Sequence, residues 1–97
     1  SGGSRILRMA IRNEVSHFTS EMAQDFRRLG IYKDMSTTTL QMVCGLIVTT
    51  MLAAAPEILD LPPDQPLLEA EMMENFVRQL QLVLIGASVW KEALRKA

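Results

Sequence analysis

Residues 40–61 read LQMVCGLIVTTMLAAAPEILDL and carry no charge until Glu57. Such a segment crosses a membrane, fills a core, or buries itself against a second copy of the chain. The uncharged window from Met35 to Pro56 is as long as a membrane span, which takes about twenty mostly apolar residues. Its first turns, however, hold Ser36, Thr37, Thr38, Thr39 and Gln41, with Thr49 and Thr50 further in. The strongly apolar part is therefore nearer the length of a buried helix. The near flanks are Lys33, Asp34, Glu57 and Asp60, without the basic cluster that anchors an inside end. The reading favours a buried helix.

Working outward, 97 residues suffice for one small domain. Hydrophobic residues at 48% and charged ones at 22% place the chain among globular proteins. A net charge of -1 provides no basic field of the kind nucleic-acid binding needs. The single cysteine, Cys44, has no partner for an internal disulfide and lies in an apolar run. That suits a reducing cytoplasm, where it serves as a small buried hydrophobe. The start, SGGSRILRMAIRNE, has charges where a signal peptide would be apolar, so none is read there.

Three helical patterns emerge, and no strand pattern competes. The first runs from about Arg5 to Leu29, with Leu7, Ile11, Val15, Phe18, Met22, Phe26 and Leu29 on one stripe. Ser4 is its expected N-cap, and Gly30 is placed to end it in a left-handed conformation. The second begins at Ser36 or Thr37 and runs to about Ala55. Pro56 predicts a kink or stop there, followed by one short turn through Leu59. Asp60 to Pro66, DLPPDQP, is a turn-rich connector. The third runs from about Leu67 to Arg95, with Glu69, Glu71 and Glu74 early and Lys91, Arg95 and Lys96 late, an order that suits the helix dipole. Met73, Phe76, Leu80, Val83, Ala87, Trp90 and Leu94 alternate by three and four, the seam of a close helix–helix packing. Leu82, Leu84, Ile85 and Val89 add apolar surface outside that seam. Gly86 costs about 1 kcal/mol against alanine within a helix, and close approach of another helix is its expected return.

The fold class expected is all-α: three long antiparallel-packed helices in a single domain over 1–97. Three helices leave part of the second and third wet. A second copy covers them if these two helices from each chain form an intermolecular four-helix bundle about a two-fold axis. The predicted dimer interface is Met51 with Met73, Phe76, Leu80, Val83, Ala87 and Trp90. The small residues Gly45, Ala53, Ala54, Ala55, Gly86, Ala87 and Ser88 permit close packing in either a bundle or a monomeric core.

The sequence is poor in chemistry. His17 and Cys44 are the only histidine and cysteine, while a zinc site takes about four ligands. No metal, cofactor or catalytic residue is predicted, and the chain is not expected to be an enzyme. No glycine-rich phosphate loop follows a strand, and no histidine–acid set stands ready to activate a serine or threonine. Glu69, Glu71 and Glu74 read as a solvated, dipole-favoured helix start, and Arg5, Arg8, Arg12, Arg27 and Arg28 as a solvated basic face. Methionines and aromatics concentrate on the packing stripes: Met22 and Phe26, Met42 and Met51, Met72, Met73 and Phe76. They suit either an ordinary core or a pocket for a flexible apolar ligand.

The order SGGSRILRMAIRNEVSHFTSEMAQDF, then a polar turn and an apolar helix ending AAAPEILDL, then ENFVRQLQLVLIGASVWK, resembles the C-terminal region of TetR-family transcriptional repressors. The most similar type is FabR/DesT, which regulates unsaturated fatty-acid synthesis. Leu80-Gln81-Leu82, Gly86 and Trp90 match positions near the end of that type's last helix, and the likeness spans nearly the whole chain in diffuse helical patterns. It implies a cytoplasmic effector-binding and dimerisation region. The homodimer would form through the last two helices and hold a long-chain acyl thioester in an apolar tunnel. The family's helix-turn-helix is not in this sequence, so DNA is an expected partner only through that absent N-terminal domain. The expected ligand pocket is Phe18, Met22 and Phe26 with Val43, Ile47 and Thr50. The competing expectation is a helical dimerisation module without a ligand.

Overall fold

A computed structural model describes residues 2–90. The fold is all-α: among the described residues there are three helices and no strand, α1 (Gly2–Leu29), α2 (Thr37–Leu59) and α3 (Pro66–Ser88). The chain forms two compact units, Ser1–Val48 and Thr49–Ala97, with the division falling inside α2.

The first unit is built on the α1–α2 turn. Gly30 has φ 73, the left-handed conformation expected of it. Its amide donates to the Arg27 carbonyl at 3.1 Å and the Ile31 amide to the Phe26 carbonyl at 2.9 Å. This bond pair is the Schellman arrangement that closes a helix C-terminus. The Arg27 guanidinium then donates to the carbonyl of Lys33 at 3.2 Å and to that of Met35. The helix end and the turn leading to α2 are thus tied by one side chain. Tyr32, at φ 51, reverses the chain between them. Ser36 caps α2: its Oγ accepts from the Thr39 amide at 3.2 Å, and its carbonyl accepts from the Leu40 amide at 2.9 Å. Of the two caps expected, Ser36 is the one used.

The core of this unit is Ala23, Leu40 and Cys44, with Met22, Phe26, Tyr32 and Met35 packed around it. The rings of Phe26 and Tyr32 lie 6.3 Å apart and tilted by 45°, within the range of a favourable aromatic pair. Gly45 faces Thr19: a Cβ on Gly45 would sit 3.9 Å from the Thr19 methyl, an ordinary contact. Thr19 in turn donates to the Val15 carbonyl at 2.9 Å.

In the second unit the end of α2 and all of α3 are joined by residues 60–65. The stop predicted at Ala55 does not occur, because α2 continues through Pro56 to Leu59 and the Asp60 amide still reaches the Pro56 carbonyl at 2.9 Å. Proline forfeits one backbone hydrogen bond, and in the last turn little helix remains to be disrupted. Asp64 takes φ 66, a conformation aspartate tolerates better than most residues. Pro66 then occupies the first position of α3, where its missing amide costs nothing.

Two expected helix ends are corrected. α1 already includes Gly2, so Ser4 lies inside the helix and is not its cap. α3 ends at Ser88, well short of Arg95, and Val89 and Trp90 are no longer helical. The Ser88 hydroxyl donates to the Ile85 carbonyl at 2.6 Å, a local bond that competes with helix continuation. Lys91, Leu94, Arg95 and Lys96, which the periodicity places in the last turns, lie outside the described residues.

Candidate functional site

The six residues expected to wall a ligand pocket fall at different depths. Val43 and Ile47 are buried on the α2 face that also carries Leu40 and Cys44. Met22 and Phe26 are half-buried against the Ala23–Leu40–Cys44 cluster. Phe18, one turn nearer the α1 start, is 48% exposed. These five belong to the first unit; Thr50, half-buried, belongs to the second. Packing thus brings Met22 and Phe26 together, and both help to fill the first unit's core.

Each unit has a small open cleft. In the first, about 180 Å³ lies between Ala23, Gln24 and Arg27 of α1 and Thr37, Leu40 and Gln41 of α2. In the second, about 170 Å³ lies between Ala53, Ala54 and Ile58 of α2 and Met72, Phe76 and Gln79 of α3. Two alanines facing a phenylalanine and a methionine leave that space because their side chains end at Cβ. Pockets for drug-sized ligands run from about 300 to 1,000 Å³, so each cleft suits one side chain or a small ring rather than a long acyl chain. None of the six predicted pocket residues lines either cleft.

The seven residues expected at a dimer interface also divide by exposure. Met51, Met73 and Trp90 are exposed, Phe76, Leu80 and Val83 are half-buried, and Ala87 is buried. Phe76, Leu80, Val83 and Ala87 therefore form the more covered side of α3. Its most exposed apolar side chains are elsewhere: Leu67, then Leu82, Ile85 and Val89. Sequence reading assigned the latter three only to surplus surface. The signal that marks them is their shared position on the helix side away from the covered stripe.

Chemically reactive groups are sparse. Among the described residues no three acidic, histidine or cysteine side chains gather as a metal site. His17 is exposed, with Nε2 3.2 Å from Glu21 Oε1 one turn on. Arg28 pairs with Asp25 at 2.7 Å and Arg78 with Glu74 at 2.8 Å, both on the surface. Burial pushes the Cys44 thiol above its ordinary pKa, and a thiol held protonated is a poor nucleophile. Burial also raises the Tyr32 phenol.

α2 is long and apolar enough to cross a membrane, with mean hydropathy 1.9 and 22% of its most apolar window buried within the chain. Length and composition alone do not separate such a helix from the association helix of a water-soluble protein. No protein-family model matches the sequence. No solved structure matches the fold at a significant level.

Proposed function

We propose that this chain is the dimerisation and effector-sensing region of a cytoplasmic transcriptional repressor, with self-association its primary physical task. One observation carries the association part. Among the described residues seven apolar side chains are buried, while twenty-one large ones are exposed. An exposed apolar area of that extent marks an interaction surface, and it falls mainly on helices. A second copy offers the same helices in return and gives a closed assembly.

A lipid bilayer is the competing cover, since α2 meets the length requirement. Against it stand Thr37, Thr38 and Thr39 in the first turn of α2, Glu57 in its last, and the absence of a basic cluster at either flank. The test is native mass spectrometry of the chain prepared without detergent. A dimer is the expected result. A chain that stays in solution only with detergent turns the reading toward the membrane, and a soluble monomer removes it.

The effector part rests on the likeness to the FabR/DesT type and on the adaptable Met22 and Phe26 around the first unit's core. The ligand on this reading is a long-chain acyl thioester. It acts only by binding one arrangement of the helices better than another, and DNA enters only through a helix-turn-helix outside this sequence. Because each described cleft is below the size of an acyl chain, binding requires α1 and α2 to part around Phe18, Met22, Phe26, Val43, Ile47 and Thr50. Added oleoyl thioester should then raise the melting temperature. No shift at saturating ligand would leave dimerisation without a sensor.

A further inference from the structure

Gly86 lies inside α3, and apart from proline no residue favours a helix less than glycine. Two ordinary reasons for a glycine are absent. Its φ is not in the left-handed region, so the backbone does not require it. A Cβ built on it meets no atom within 4 Å, so no neighbour within the chain requires it. The remaining physical reason is close approach by a backbone from outside the chain.

The surroundings of Gly86 agree. Leu82, four residues before, is 73% exposed; Ile85 is 64% and Val89, three residues after, 66% exposed. On a helix these positions surround Gly86, so three apolar knobs edge a gap left by the missing side chain. From Gln79 to Trp90 there is no charged residue. A charged partner finds nothing to recognise there, and an identical surface meets it without like-charge repulsion. The patch has both a gap and knobs that fit such a gap, the self-complementarity required of an interface about a two-fold axis.

We propose that Gly86 marks the point where two α3 helices cross, one from each of two copies of the chain, with Leu82, Ile85 and Val89 of each packed beside the other's Gly86. The inference rests on the dimer reading above and specifies its contact. That contact is on the opposite side of α3 from Phe76, Leu80, Val83 and Ala87. Exposed Met51 and Leu52 of the same unit add apolar area toward the roughly 800 Å² per partner of a standard stable interface.

The test is a cysteine at the crossing point. A disulfide between copies needs Cα atoms within about 7 Å, so mild oxidation should convert Gly86→Cys to a covalent dimer on a non-reducing gel. The unchanged chain, whose only thiol is the buried Cys44, and Glu71→Cys should stay uncrosslinked. In parallel, Gly86→Leu should weaken the dimer about tenfold or more in sedimentation velocity, the cost of overfilling a close contact, with helicity retained by circular dichroism. An unchanged chain that is dimeric, with neither crosslinking of Gly86→Cys nor weakening by Gly86→Leu, overturns the crossing point and leaves the dimer standing. A monomeric unchanged chain overturns both.

Discussion

Leu40 and Cys44 are the most enclosed side chains described, at 1% and 0% exposure. They stand one helical turn apart, so α2 presents both to the same part of α1. Truncating Leu40 removes the centre of the first unit's small core. Leu40→Ala should cost about 2–5 kcal/mol, the range for a large-to-small change at a buried site, read as a lower urea midpoint. Cys44 and Tyr32 make a second prediction, for alkaline pH. Burial raises both above their ordinary values, so the folded chain holds these protons more tightly than the unfolded chain. The stability they contribute is complete below the unfolded values, about 8.5 for a thiol and 10 for a phenol. It is lost as pH rises from there through the folded values. Urea midpoints should therefore fall above about pH 8.5, and Cys44→Ala should remove the earlier part of the decline. A flat profile from pH 8 to 11 would refute the assignment. The role of Cys44 as a buried hydrophobe was legible in its apolar setting. The Arg27 tie across the turn was not, because it depends on carbonyls aimed by the turn itself.

At the scale of elements, the α1–α2 corner has the clearest local code. Gly30 supplies the left-handed residue, Ser36 the cap, and Arg27 the link between them. Ser36→Ala removes the acceptor of the Thr39 amide and should cost about 1 kcal/mol, the usual loss for an N-cap hydroxyl. Ser36→Asp should recover most of it. If alanine and aspartate behave alike in thermal melts, the cap is not stabilising α2. The three helices were legible because each carries an apolar stripe of helical period. Their ends were less so. Proline signals a stop in isolation, yet at Pro56 the helix had only one more turn to make. In α3 the apolar alternation runs on past Ser88, but periodicity records which residues would share a face, not where the backbone leaves the helix. The same limit hid the exposed side of α3. Apolar residues occur on both of its sides, and a sequence pattern cannot say which side a neighbour covers until packing places Ala87 inward and Val89 outward.

For the whole molecule, the question posed by residues 40–61 becomes one of thermodynamic order. If the exposed apolar surfaces are covered by a second copy, folding and association are one equilibrium, and stability depends on protein concentration. A tenfold rise in concentration then contributes about 1.4 kcal/mol per dimer. Spread over the unfolding entropy of two such chains, it raises the melting temperature by about 3 °C. A water-soluble monomer shows no such shift, and a membrane helix aggregates before a reversible melt can be recorded. Leu80→Asp separates the coupled case further. Leu80 lies on the more covered side of α3, so an unpaired carboxylate there should cost several kcal/mol of desolvation and abolish the cooperative melt at every concentration. A charge at exposed Ile85, as in Ile85→Lys, should instead spare helicity at high concentration and steepen the concentration dependence by weakening association. Melts that superimpose across a hundredfold range for the unchanged chain would place all of its stability within one copy. The twenty-one exposed apolar side chains would then need a cover other than self-association.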